Sequence, residues 1–410
     1  MNKDYDVVFL GGLFPKEYEQ EILNYSVKNI QNAANVLQWN LVTGLDLNLD
    51  KPTKIINSLY VGSYPKLYKK LFIETFEFSH CKDSKDINVG FINLWGIKNY
   101  LRYYSLKKYL KEWAIDGSKN KVIVAYAMTQ TFCRAIEYIK KINPLIKTLL
   151  VVPDLPLYMN LSNKNNSFYD FLKKIDIYAM NNRIKYIDYF VFLTEYMSGK
   201  VNIYNKPYIV IEGIVSKENE NDQAIIEKFI KKTIAYTGTL NEKYGIKLLV
   251  DAFMKVEIDN AELIICGNGD SEEYIKDISF VDNRIKYLGA VSREESILLQ
   301  RKATLLVNPR PTNEEYTKYS FPSKNMEYML SGTPVLTTKL PGMPDEYYDY
   351  VYLIDDESVD GLTKTLTEVL EKSNEEMYEL GIRAKNFVLK AKNSVIQTKK
   401  IIDMLSDIIV

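Results

Sequence analysis

A chain of 410 residues is too long for one ordinary hydrophobic core, and 46% hydrophobic with 26% charged residues is the composition of a folded protein of about two domains. No run of about 20 apolar residues occurs, so no membrane-crossing helix is expected. The 53 basic and 53 acidic residues cancel, but unevenly: residues 1–200 hold 27 Lys and Arg against 19 Asp and Glu, so the first half is expected to meet something anionic. Nucleic acid is not that partner, because neither a basic domain nor a recognised binding motif is present.

The start, MNKDYDVVFLGG, runs directly into a strand pattern and does not read as a signal peptide. Strands follow near Asp6–Leu10, Ile55–Val61, Ile87–Leu94, Val122–Tyr126, Thr148–Val152 and Tyr189–Leu193, with helices such as Lys16–Ala33 and Gln130–Lys141 between them. Apolar runs alternating with amphipathic helices predict a parallel sheet covered on both faces. Within this half, Ile97–Trp113 reads as a basic helix with Tyr103, Leu106, Leu110 and Trp113 on one stripe and Lys98, Arg102, Lys107, Lys108 and Lys111 around it. It suits an anionic membrane surface and equally a solvated helix packed on the sheet. Ser216–Gln223 is polar and reads as a linker. After it TIAYTG, AELIICG, RIKYLG, ATLLVNP, TPVLTT and VYLI alternate with helices again, so a second doubly wound domain follows. The predicted divisions are 1–215, 216–390 and a final helix, 391–410, whose Ile396, Ile401, Ile402, Leu405, Ile408 and Ile409 form an apolar face.

Cys81, Cys133 and Cys266 lie far apart, outside any CxxC pair, and read as buried thiols in a reducing compartment. With one histidine, His80, in the polar loop FSHCKDSKD, no zinc site is expected, and His80 itself reads as a surface residue. Open parallel sheets bind ligands at the carboxyl ends of their strands. Gly11 and Gly12 follow the first strand, Gly238 the first strand of the second half, and Gly267 and Gly269 the next. Each allows a tight turn or a close approach to phosphate. Asp154, in VVPDLPLYM, either orients a substrate hydroxyl or starts a turn before Pro156. In KYSFPSKNMEYMLSGTPVL, Pro322 suits the first position of a helix and Gly332 its left-handed end. Ser323, Lys324 and Glu327 on its first turns either cap, dissolve and balance the dipole, or read an anion.

Taken in order, YTGTLNEKYGIKLLVDAF, AELIICGNGD, IKYLGAVSREE, LLVNPR and YSFPSKNMEYMLSGTPVLTT resemble the donor-binding domain of family 4 glycosyltransferases, most closely the branch that builds bacterial surface polysaccharides. VVFLGGLFP and NVLQWNLVTGL are similar to the first domain of that family. The resemblance implies a GT-B fold, two Rossmann-like doubly wound domains facing across a cleft, with the C-terminal helix crossing back to the first domain. It also implies a retaining transfer of a hexose-type sugar from a nucleotide-sugar, UDP-linked in preference to GDP-linked, to a glycan or lipid-linked acceptor. No metal or other cofactor is implied, and the place of action is the cytoplasm, free or at the inner face of a membrane. Glu327 matches the glutamate that binds the donor ribose. Lys324 and Arg310 would hold the diphosphate as it leaves, with Asp154 on the acceptor hydroxyl. Gly11, Gly12, Gly238, Thr239, Lys243, Gly267, Gly269, Tyr319, Ser320 and Ser323 complete the implied donor site. The chain departs from the family pattern at Tyr319, where the first of two glutamates is usual, and at Thr239 and Tyr244, where arginine and lysine are usual. Glu314 and Glu315 lie out of register. These departures leave a non-catalytic GT-B subunit as the alternative, while the single histidine argues against a sugar-nucleotide epimerase.

Overall fold

The computed structural model describes residues 4–27, 32–155, 167–216 and 226–406, with backbone alone at 167–173. The chain forms two units, one from residues up to Ile214 together with Ser394 onward, the other Val215–Asn393. Of the expected linker, residues 217–223 lie outside the described residues.

The first unit carries β1 (Asp6–Gly11), β2 (Lys54–Asn57), β3 (Phe72–Ile73), β4 (Phe76–Phe78), β5 (Asp86–Asn88), β6 (Phe91–Ile92), β7 (Lys121–Tyr126), β8 (Lys147–Val152), β9 (Tyr189–Phe192) and β10 (Tyr208–Val210). Its helices are α1 (Glu19–Tyr25), α2 (Asn32–Asn48), α3 (Lys98–Ala114), α4 (Gln130–Ile142), α5 (Ser167–Asn181) and α6 (Ser198–Val201). The main sheet runs β10-β9-β8-β7-β1-β2-β5-β4, with β4 the antiparallel edge. Its central strands are apolar without alternation because both faces are covered.

Three expectations are corrected here. Ile87–Leu94 is not one strand: it breaks at Val89–Gly90 into β5 and β6, and β6 pairs antiparallel with β3 in a separate ribbon. A Cβ on Gly90 would lie 2.5 Å from the Ile73 carbonyl, so the break is where another backbone passes closest. The strand expected over Ile55–Val61 ends at Asn57, where Ser58 turns to donate to the Gly11 carbonyl. Lys16–Ala33 is likewise not continuous. A 3₁₀ turn and α1 end by Tyr25, and a second helix begins at Asn32.

Helix α3 packs on the first unit through part of its expected stripe. Leu106, Leu110 and Trp113 are core. Arg102 is buried too, against the surface position expected for it. Its Nε donates to Ser58 Oγ at 2.8 Å and its guanidinium stacks on Tyr60, Phe91 and Phe132.

His80 is also not a surface residue. Its ring is 5% exposed, with Nδ1 2.6 Å from Asp86 Oδ2 and Nε2 2.8 Å from Asp46 Oδ2. Burial alone would lower the imidazolium, but bonds to both carboxylates outweigh it and raise His80 to about 9. The cluster sits at the amino end of β2, where Ile55 N–H donates to Asp86, opposite the ligand edge, so its role is to hold the sheet. A histidine raised from 6.5 contributes stability fully present below about 6.5 and lost as pH climbs through about 9. His80→Asn should cost about 1–3 kcal/mol near neutrality, discounted for the partial solvation of Asp46. Melting temperatures of both proteins from pH 6 to 10 check this: the gap should close at the alkaline end. Cys81 is half-buried rather than buried, while Cys133 and Cys266 are buried as expected.

The second unit contains β11 (Lys232–Thr237), β12 (Ala261–Cys266), β13 (Ile285–Tyr287), β14 (Leu305–Asn308), β15 (Val335–Thr338) and β16 (Tyr352–Ile354), with α7 (Ile246–Met254), α8 (Glu272–Val281), α9 (Arg293–Lys302), α10 (Ser323–Ser331), α11 (Val359–Leu370) and α12 (Asn374–Ala391). Its sheet is wholly parallel, in the order β13-β12-β11-β14-β15-β16. The direction of winding reverses between β11 and β14, and the crevice beyond the carboxyl ends of such a pair is where doubly wound sheets take ligands.

The last helix, α13 (Ser394–Leu405), belongs to the first unit. Ile401, Ile402, Met404 and Leu405 join the core built around β1 and α2, and Asn48 Nδ2 donates to Val395 O and Thr398 Oγ1, both at 2.9 Å. Ile396, expected on the same apolar face, is exposed. Ile408 and Ile409 lie outside the described residues. Among the described residues no helix is long and apolar enough to cross a membrane.

Candidate active site

The switch point of the second sheet is built by α10. Pro322 proves to be its N-cap residue rather than its first residue, and Ser323 makes no side-chain cap. Gly332 ends the helix at φ 78°, the left-handed conformation expected of it. Two buried side chains pin the helix. Asn325 Nδ2 donates to Thr337 Oγ1 at 3.1 Å while its Oδ1 accepts from Asn308 Nδ2 at 2.6 Å, which ties the first turn to β14 and β15. Tyr328 Oη accepts from Thr237 N–H at 2.9 Å, which ties the second turn to β11. Lys324 and Glu327, three residues apart on the neighbouring face, are thereby held at the switch point.

The residues around Lys324 enclose a cavity of about 200 Å³ lined by Tyr236, Thr239, Tyr244, Asn308, Arg310, Ser320, Phe321, Pro322, Ser323 and Lys324. Lys324 Nζ donates to Tyr236 Oη at 3.2 Å and lies 4.3 Å from that ring's centre. Gly238 sits beside it at φ 145°, and a Cβ there would come within 1.6 Å of the amine. Glycine is required on both counts. Burial first, and the Arg310 charge second, push the Lys324 ammonium down to about 7 against the pull of Glu327. Arg310 leaves β14 with its guanidinium 4.5 Å over the Tyr244 ring. Its Nε and Nη1 are buried with no hydrogen-bond partner among the described residues. Buried guanidinium donors without an acceptor are costly, and here two of them border a cavity shared with an amine that has no carboxylate in hydrogen-bond reach among the described residues. Such an arrangement can take a compact anion.

Glu327 is exposed, and its Oε1 accepts from Gln300 Nε2 at 2.5 Å. Of the other expected donor-site residues, Thr239, Ser320 and Ser323 line the cavity. Lys243 does not: its side chain is exposed and its backbone carbonyl accepts from Tyr316 Oη. Tyr319, in the family's first glutamate position, is buried in a 3₁₀ turn outside the lining. Gly267 and Gly269 leave room for the neighbouring backbones of Gly238 and Leu240, not for an open site. Gly11 and Gly12 serve the first unit. Gln38 Oε1 and the Tyr60 ring occupy the space that side chains there would need. Asp154 follows β8; it is exposed as a residue, yet desolvation raises its carboxyl to about 6.

Composition and motif gave no sign of Tyr236 and Gln300, and marked Tyr244 only as a departure from the usual lysine. An aromatic residue next to the last of a strand, two positions before Gly238, was the signal available for the first. A larger cavity, about 630 Å³, lies in the first unit between Tyr5, Lys121, Lys147 and Leu405. It opens at the amino ends of β7 and β8, and its buried lysine is already bonded to Asp116 and the Trp113 carbonyl, so the smaller cavity is the candidate. Asp46, His80 and Cys81 bring possible metal-ligand atoms within 4.8 Å of one another, but both imidazole nitrogens there are taken by carboxylates.

Residues 216–387 match the family model described as Glycosyl transferases group 1. The match spans nearly all of the second unit. A glycosyltransferase of Methanocaldococcus jannaschii is 30% identical over 117 residues, a segment spanning 28% of this chain and 28% of that relative. Among solved structures, the sucrose-phosphate synthase of Thermosynechococcus elongatus superposes with a TM-score of 0.64 at 12% identity, covering 98% of this chain and 100% of that one. HepE of Anabaena, in complex with UDP, gives 0.61 at 12% identity with the same coverage. The lipopolysaccharide outer core galactosyltransferase WaaB gives 0.62 at 14%, again covering 98% and 100%. The two-domain α/β architecture is thus GT-B-like, as the resemblance implied. Transferase is the class of enzyme to which the matched domain points.

Proposed function

We propose that the protein is a glycosyltransferase whose second unit binds a nucleotide-sugar, with the diphosphate between Arg310 and Lys324 and the ribose on Glu327. The observation that carries this reading is the pair of orphaned Arg310 donors beside the buried Lys324 amine at the switch point. These two cations offset the charge that develops on the leaving diphosphate. The diphosphate can then accept the acceptor's proton on the face from which it leaves, a retaining course that asks for no strong enzymic base. The positive charge the step requires comes from the chain itself, so the reading is metal-independent. A uridine donor is the favoured choice, in keeping with the UDP in the Anabaena structure.

The acceptor is proposed to be a glycan or lipid-linked saccharide of surface-polysaccharide synthesis, met by the basic first unit with Asp154 near its hydroxyl. Attachment to an anionic membrane, if it occurs in the cytoplasm where three free thiols persist, would use the exposed Trp95, Ile97, Tyr100 and Tyr104 rather than the buried stripe of α3.

Calorimetric titration with UDP in the presence of EDTA tests the donor site. Saturable binding is expected, weakened about tenfold or more in Glu327→Gln with the melting temperature unchanged, because a bond to a charged acceptor is lost. Equal affinity in the two proteins would remove Glu327 from the site.

A further inference from the structure

Glu327 is not an isolated carboxylate. Gln300, on α9, is 1% exposed, and its Nε2 reaches Glu327 Oε1 at 2.5 Å and Thr237 Oγ1 at 2.9 Å. Ser296 Oγ stands a further contact away at 3.3 Å, and the Gln300 carbonyl accepts from Thr333 Oγ1 at 2.7 Å. A primary amide has two N–H groups, and the two short contacts use both. The side chain is therefore locked from β11 on one side and α10 on the other. Among the described residues nothing else bonds Glu327. One carboxylate oxygen is held and the other is left for a ligand.

The neutrality of the partner matters. An ammonium or guanidinium in place of the Gln300 amide would compete for both oxygens and spend the carboxylate's charge in an ion pair. An amide fixes the orientation while leaving the negative charge to strengthen bonds from hydroxyl donors. Two vicinal hydroxyls on a sugar ring are the donors such an oxygen fits. A ring lacking one of them leaves a fixed, charged acceptor half-used, and sites built on hydrogen bonds discriminate strongly against ligands that lack the group.

We propose that Gln300 is a positioning residue that presents Glu327 to the 2′- and 3′-hydroxyls, so that the site selects sugars carried on ribonucleoside diphosphates over those carried on 2′-deoxyribonucleoside diphosphates. This rests on Glu327 reading the ribose, and the experiment separates the two claims. The probes are UDP and 2′-deoxy-UDP, titrated calorimetrically into the full chain and into Gln300→Met, Gln300→Glu and Glu327→Gln. The wild-type dissociation constants should differ about tenfold or more, the loss of one bond to a charged acceptor. In Gln300→Met, nearly the same shape without donors, the ratio should fall below about threefold although UDP still binds through its diphosphate. Gln300→Glu, which sets a second carboxylate against the first, should lose the ratio too and serves if the methionine variant does not fold. The ratio compares two ligands on one folded protein, so general destabilisation does not move it. A wild-type ratio retained in the Gln300 variants, with the ratio lost in Glu327→Gln, overturns the role of Gln300 and leaves the ribose contact standing. A ratio near one in the wild-type protein overturns both.

Discussion

Lys324→Ala and Arg310→Ala should each lower turnover about 30- to 1000-fold, the equivalent of about 2–4 kcal/mol of transition-state stabilisation by a preorganised charged group. Neither loss should come with unfolding. Among the described residues Arg310 Nε and Nη1 have no acceptor to abandon, and Lys324 gives up one bond to a tyrosine hydroxyl. Removing a desolvated amine relieves the fold of a buried charge, so Lys324→Ala is expected to melt at or above the wild-type temperature. The measurement is release of free nucleotide from nucleotide-sugars alongside a thermal melt. Because burial and Arg310 hold the unliganded amine down at about 7, a diphosphate must restore its charge on arriving. Binding of UDP at pH 8 should therefore take up a proton, seen as a heat that depends on the ionisation heat of the buffer. In Lys324→Ala that dependence should vanish. A lysine variant that turns over like the wild type would show that the amine is only wall.

Ending the chain after Asn393 should unfold the first unit although residues 1–214 are untouched. The deletion removes Ile401, Ile402, Met404 and Leu405 from the core they share with Leu41, Val42 and Leu45 of α2 and with β1. Each such side chain contributes about 1.5–3 kcal/mol when fully buried. Four of them together approach the whole stability of an ordinary domain, about 5–15 kcal/mol. Polar anchors go as well, since Asn48 loses Val395 O and Thr398 Oγ1 and Tyr5 Oη loses Leu405 O. The second unit, whose own core draws on Val215–Asn393 alone, should melt as before. Calorimetry of the truncated protein should show one transition retained and one lost or moved below room temperature. Two transitions at their original temperatures would make α13 an appendage.

What could be seen in the sequence was whatever one local segment specifies. Helix α10 has Pro322 at its start, apolar Met326, Tyr328 and Met329 on one side and Gly332 at its end, and all of this lies within eleven residues. The second sheet was legible for a similar reason: each of its strands is a short apolar run followed by turn residues. Ile87–Leu94 misled because a mostly apolar run does not reveal that the Ile73 backbone crosses at Gly90. His80 misled because its neighbours in sequence are polar, while Asp46, 34 residues away, closes over it in the fold. The candidate site divides the same way. Lys324, Glu327 and Arg310 could be picked out by position relative to a strand or helix end. Tyr236, Tyr244 and Gln300 come from a strand, a 3₁₀ turn and a helix that only the winding order brings together. Lys243 was one residue from the lining in sequence, but the turn directs its side chain to solvent and leaves Tyr244 under the guanidinium.

Incubating the full-length protein with a panel of nucleotide-sugars in EDTA, and following both free nucleotide and the anomer of the released or transferred sugar by NMR, tests the central claim most directly. The account predicts that a uridine-linked sugar is consumed at a catalytic rate without added metal, that the first product keeps the donor's anomeric configuration, and that Lys324→Ala slows the reaction about 30- to 1000-fold while leaving the protein folded. UDP that binds with no nucleotide-sugar consumed would contradict it, and would make the chain a silent GT-B subunit whose cation pair holds a nucleotide without chemistry.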